Sequence, residues 1–94
     1  MRTTDFTSRF NKDYKRVQRS PLGKSLQAEL QAVLELLLED APLPANNHDH
    51  PLRGEWKGFR DCHVRPDLVQ IYRKYEPSIL ELSRLGSHSE LFKK

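Results

Sequence analysis

Three of the chain's four histidines and three aspartates fall in one stretch, HDHPLRGEWKGFRDCHVRPD, running from His48 to Asp67. Four lysines or arginines and the sole tryptophan share it, and the last histidine, His88, follows near the C-terminus. An imidazole titrates near neutrality, so it can take or give a proton there. Each well-placed acid or base contributes roughly 10²–10⁴-fold in rate. Cleavage of an RNA phosphodiester asks for little more. One group removes the 2′-OH proton, another protonates the leaving 5′-oxygen, and cations hold the phosphate as its charge builds. No cofactor is required for that chemistry.

Other chemistries fit less well. His48, His50, Cys62, His63 and His88 are all possible zinc ligands. Cys62 and His63, however, are neighbours on a predicted strand and face opposite sides, and no C-x-x-C or H-E-x-x-H pattern exists. Cys62 is expected to face helices, where thiols are inert, and no G-x-S-x-G elbow is present. Plainer roles compete with each functional one. A histidine or aspartate near a turn is often only solvated, and Asp67 after Pro66 can cap a turn. His48 reads as a loop residue outside the site. Arg60 is either a structural pairing arginine or a phosphate contact. Trp56 and Leu82 read as packing.

The elements that must position these groups follow from periodicity. RTTDF at the start is compatible with an edge strand. From Ser8 to Arg19, Phe10, Tyr14 and Val17 fall on one helical face. Ser20 and Pro21 are a good start for a second helix reaching Glu39, with a stripe of Leu22, Leu26, Leu30, Val33, Leu34 and Leu37. Pro42 and Pro44 then stop it. After a loop over 41–52, three runs at hairpin spacing predict an antiparallel meander over about 55–85: WKGFRDCHV, LVQIYRKY and ILELSRL. The order is β-α-α-β-β-β in one α+β domain over 1–94. A helical hairpin at about 8–40 packs on one sheet face, the other face is free, and a tail over 86–94 completes the site. Alternation puts Phe59, Asp61, His63 and Arg65 on one face of the Trp56–Arg65 strand and Arg60, Cys62 and Val64 on the other. Asp61 and His63 then stand roughly 6–7 Å apart, close enough to act on one substrate. Lys57 and Arg65 are further cations expected to bind it.

The motifs DHPLRGEWKGFRDCHVRPD, IYRKY and RLGSHSELF, spread over residues 49–92, resemble the YafQ branch of the RelE/ParE superfamily of bacterial type II toxins. Before residue 41 the resemblance rests on element order alone. It implies an mRNA interferase, a ribosome-dependent endoribonuclease that cuts mRNA in the ribosomal A site, leaving a cyclic phosphate and a free 5′-hydroxyl. It also implies contacts to 16S rRNA, an antitoxin that wraps the toxin, and operator DNA reached only through the antitoxin complex. By position it carries over His50, Asp61, His63, Asp67, His88, Arg84 and Phe92. In that reading His50 and His63 form the acid–base pair and His88 orients or protonates. The two carboxylates set tautomer and orientation, Arg84 holds the phosphate, and Phe92 stacks on a base. Lys93 and Lys94 would add phosphate attraction.

Composition agrees with a folded domain that has an anionic partner: 94 residues, 36% hydrophobic, net charge +3. Lys12, Lys15, Arg16, Arg19 and Lys24 on the hairpin offer a basic surface to an acidic, partly disordered antitoxin. A single cysteine, the lack of a charged-then-apolar leader and the lack of a long apolar run predict a cytoplasmic protein with no membrane contact. Two other functions stay open: a gyrase-inhibiting toxin of the same superfamily, and an inactive module that only binds antitoxin. The histidine set favours the nuclease, because poisoning by contact needs no proton-transfer groups.

Overall fold

The computed structural model describes residues 1–92. Lys93 and Lys94 lie outside the described residues, as does the side chain of Leu22. The first strand, β1 (Thr3–Phe6), runs into helix α1 (Ser8–Arg19) through Thr7. Thr7 is the N-cap. Its Oγ1 accepts from the Phe10 N–H at 3.0 Å and donates to the Ser83 carbonyl at 3.0 Å, so one hydroxyl caps the helix and ties it to the sheet. Phe10, Asp13 and Val17 form the buried face of α1.

The second helix starts later than its sequence suggests. Pro21–Gly23 form a 3₁₀ turn, Ser25 takes a left-handed backbone at φ 66°, and α2 spans Leu26–Leu38. Close packing forces the break. A Cβ on Gly23 would lie 1.9 Å from the Gln18 carbonyl oxygen, so the chain turns directly against α1. Leu26, Leu30, Val33 and Leu37 then face the sheet, and each fully buried leucine contributes roughly 1.5–3 kcal/mol.

The predicted loop contains a strand, β2 (His50–Pro51), too short for any periodicity to reveal. The three long strands are β3 (Arg60–Arg65), β4 (Leu68–Tyr75) and β5 (Ile79–Gly86), and a short helix, α3 (His88–Leu91), follows. β3 begins four residues later than the Trp56 start expected, because Gly54–Trp56 form a 3₁₀ turn. The sheet has five strands in the order β1-β5-β4-β3-β2, antiparallel except for the β1–β5 pair. No described helix is long and apolar enough to cross a membrane.

Both helices of the hairpin cover one face, where Cys62, Leu68, Tyr72, Leu80, Leu82 and Leu85 complete the core. The opposite face is not free. Val69, Ile71 and Leu91 are buried there beneath Leu52, Trp56, Phe59 and Phe92. The residues before β3 and the last helix therefore fold over the open face and build a second, smaller cluster around the candidate site.

Two irregularities set which side chains reach that face. Between His63 and Arg65 the pairing with β4 shifts, so His63 pairs with Val69 and Arg65 with Leu68. The bulge reverses the alternation. Arg65 consequently leaves the Asp61–His63 face, and its guanidinium bonds Glu29 and the Lys24 carbonyl on the helix side. A second shift places Ile71 opposite Arg84 but Tyr72 opposite Leu82, with Ser83 as the extra residue. Gln70 patches the gap, its amide donating to the Ile71 and Arg84 carbonyls at 2.9 Å each.

Candidate active site

The site is a row of rings across the open face. His63 on β3 faces His88 on α3 with ring centroids 5.0 Å apart at 64°. His88 also touches Phe92 at 5.9 Å, and His63 also touches His48 at 5.1 Å. His50 on β2 pairs in register with Asp61 on β3. Its Nδ1 stands 3.1 Å from the Pro51 carbonyl, and its Nε2 stands 2.8 Å from Asp61 Oδ1. Asp67, in the β3–β4 turn, sets Oδ1 3.5 Å from His88 Nδ1. The structure thus brings together His50, Asp61, His63, Asp67, His88 and Phe92. His63 and His88 form the close imidazole pair, and His50 belongs to Asp61.

Arg84 leaves β5 on the same face as its partner Ile71, but its guanidinium is held by Asp13 of α1. Nε and Nη2 donate to that carboxylate at 2.7 and 3.1 Å. Only the remaining N–H groups of Arg84 are left for a substrate anion. Lys57 is exposed at the end of the 3₁₀ turn that precedes β3. Arg65 is turned off the Asp61–His63 face and held by Glu29 and the Lys24 carbonyl, and it lines the cleft beside His48 and His63.

Each ring has a local reason for its place. Ser87 caps α3, its Oγ accepting from the Glu90 N–H at 3.2 Å while Glu90 Oε1 accepts from the Ser87 N–H at 2.9 Å. Leu91 buries into the open-face cluster. Arg16 reaches across from α1, with Nε 3.3 Å from Glu90 Oε2 and Nη2 donating to the Leu85 carbonyl at 3.1 Å. The approach is close enough that a Cβ on Gly86 would lie 2.9 Å from Glu90 Oε1 and 3.1 Å from Arg16 Nη2. His48 sits in a left-handed turn at φ 48°, and its neighbour Asn47 donates to the His63 carbonyl at 2.7 Å.

The electrostatics divide the groups. Asp61 has a side chain only 2% exposed, and no donor is aligned on its Oδ1 among the described residues despite the nearby imidazole. Burial pushes its pKa up, and His50, His63 and His88 pull it partly back. Burial and the charge of His88 push His63 down, with Asp61 opposing and His48 and His50 adding to the fall. His63 is therefore neutral at pH 7 and can accept a proton. Asp13 is also buried, which works to raise its pKa, but hydrogen bonds from Arg84, the Leu85 N–H and Arg16 outweigh this and hold it low. Cys62 faces the helices as expected, wholly buried, its thiol pushed up to about 12 by desolvation. Among the described residues, no three His, Cys, Asp or Glu side chains converge as a metal shell.

Sequence reasoning sets His48 outside the site and Arg16 on the hairpin surface, whereas the structure puts the His48 ring 5.1 Å from His63 and Arg16 against Glu90; it does not single out Asp13, which holds Arg84. Asp13 did carry a signal, an acid at the i+3 position of the apolar face begun by Phe10. Nothing in the spacing announces the turn that brings His48 beside His63.

Comparison with known proteins accords with this arrangement. Residues 2–93 match the family described as the bacterial toxin of type II toxin–antitoxin system, YafQ. The chain is 38% identical over 92 residues to the mRNA interferase toxin YafQ of Escherichia coli K12, covering 97% of this chain and 96% of that one. The crystal structure of YafQ from E. coli BL21(DE3) superposes with a TM-score of 0.84 at 35% identity, covering 98% and 99% of the two chains. A chain of the E. coli DinJ–YafQ complex superposes with a TM-score of 0.81 at 36% identity, with coverage of 98% and 99%. With nearly its whole length matched in both sequence and fold, the chain belongs to the YafQ family of type II toxins.

Proposed function

We propose that the chain is an mRNA interferase, an endoribonuclease that cuts mRNA on the ribosome by general acid–base catalysis. The observation that carries the reading is the His63–His88 pair, 5.0 Å apart and flanked by Asp61 and Asp67. Family membership and the curated E. coli relative named as an mRNA interferase support it. In the reaction, neutral His63 takes the proton of the 2′-OH and the 2′-oxygen attacks phosphorus. The bond from phosphorus to the 5′-oxygen breaks, and protonated His88 supplies that oxygen with its proton. The products are a 2′,3′-cyclic phosphate and a 5′-hydroxyl. Asp67 orients His88 through Nδ1, and Asp61 holds His50 in place beside the base. Arg84 and Lys57 attract the phosphate, and Phe92 offers a base-stacking face.

The partner follows the same logic. A cytoplasmic antitoxin rich in acidic residues would cover the basic hairpin or the site, as DinJ partners the E. coli toxin in its complex. Purified protein added to translating ribosomes tests the function. Wild type should yield mRNA fragments with 5′-hydroxyl ends, and His63→Ala and His88→Ala should each lower the rate by roughly 10²–10⁴-fold. Intact mRNA with wild-type protein overturns the reading.

A further inference from the structure

Beside His63 lies a cleft of about 410 Å³ whose lining includes Asn46, Asn47, His48, His63 and Arg65. That volume lies within the range of small-ligand pockets, roughly 300–1,000 Å³. Its wall is built rather than accidental. Asn47 bolts the turn to β3 by donating to the His63 carbonyl at 2.7 Å, and the His48 N–H closes the turn on the Ala45 carbonyl at 3.1 Å. The His48 ring is thereby presented 5.1 Å from His63, with the amide of Asn46 exposed at the rim.

We propose that this cleft is a second nucleobase subsite, in which the base next to the cut stacks on His48 and meets the amide of Asn46 along its edge. The inference rests on the nuclease reading above. Phe92 and His48 are the two end members of a chain of ring contacts, Phe92–His88–His63–His48, with the reacting pair as its middle members. A strand whose bases are splayed to either side of the scissile phosphate fits that spacing; a stacked one, with bases about 3.4 Å apart along the helix, does not. An asparagine amide offers both a donor and an acceptor, the combination that reads a base edge.

The test uses full-length toxin on ribosomes programmed with a defined mRNA, under single-turnover conditions, with sequencing of the 5′-hydroxyl ends. His48→Ala should raise the half-saturating toxin concentration about 5- to 100-fold, a larger effect than its effect on the plateau rate. His48→Phe should restore most of that loss, since a phenyl ring keeps the stacking face without the ring nitrogens. Asn46→Ala should relax sequence preference at one nucleotide beside the cut. Wild-type behaviour of His48→Ala, or no recovery with His48→Phe, overturns the subsite. Failure of the wild-type toxin to cut at all overturns the nuclease reading instead, so the two are distinguished.

Discussion

Replacing Asp61 by asparagine separates the charge of this carboxyl from its shape. The side chain is 2% exposed, and Oδ1 has no aligned donor among the described residues. Its pKa is raised by burial, so the folded state prefers the neutral acid and the ionised form opposes folding at neutral pH. Asparagine keeps the volume, removes the charge, and can donate from its amide to His50 Nε2. An unsatisfied buried polar group costs roughly 1–3 kcal/mol, and the lost attraction to three imidazoles offsets part of the gain. A net stabilisation of about 1 kcal/mol is expected, which raises Tm by about 4–8 °C in a domain of this size. The sign with pH follows from the direction of the shift. Above the folded pKa, both folded and unfolded carboxyls are ionised and the full gain is present. As pH falls through the folded pKa toward the unfolded value of about 3.9, the wild-type carboxyl takes up its proton and the gain shrinks. Thermal melts followed by circular dichroism at pH 7.5 and pH 4.5 measure this, alongside mRNA cleavage. Stability should rise most at pH 7.5 while cleavage falls at least tenfold. A lower Tm than wild type at pH 7.5, or a gain that grows on acidification, refutes the reasoning.

Asp13→Asn should act in the opposite direction. Its pKa is held low, so its stabilisation is present above about pH 3.9 and fades as pH falls through the folded value; a loss of about 2–4 kcal/mol is expected in urea melts at pH 7, and an unchanged midpoint refutes it. Because His63 is pushed down, the acid limb of kcat/KM for cleavage should fall below pH 6.5; a midpoint above pH 7 excludes His63 as the base. Gly86→Ala puts a Cβ 2.9 Å from Glu90 Oε1 and 3.1 Å from Arg16 Nη2, both ends of flexible side chains, so the Arg16–Glu90 pair should shift while single-turnover cleavage stays near the wild-type rate; a loss of about tenfold or more contradicts that adjustment. Cys62, buried with its thiol pushed up to about 12, should resist thiol reagents in the native protein and label only on unfolding, as mass spectrometry would record.

Much of the scaffold was legible in the chain because long elements write their periodicity locally. Phe10, Tyr14 and Val17 marked α1, the leucine stripe marked α2, and the runs ending at RPD and EPS marked the meander with its turns. Alternation on β3 also sorted Asp61 and His63 from Cys62, since a strand has a period of two. That rule stopped at the bulge. One extra residue between His63 and Arg65 turned Arg65 toward Glu29, and pairing with β4 sets the bulge, not the local spacing. The two-residue strand holding His50 exists only because β3 is there to pair with it. The expectation of a free second sheet face failed for a related reason. Alternation had placed Phe59 there, but Trp56 reaches that face from a 3₁₀ turn and Leu91 from a four-residue helix, segments too short to carry a repeating pattern. The titratable side chains proposed to react could be named from the linear chain. Their pairing, His63 with His88 rather than with His50, and the arrival of His48 beside them were decided by long-range contacts, because distances between remote residues are set by packing and not by sequence separation.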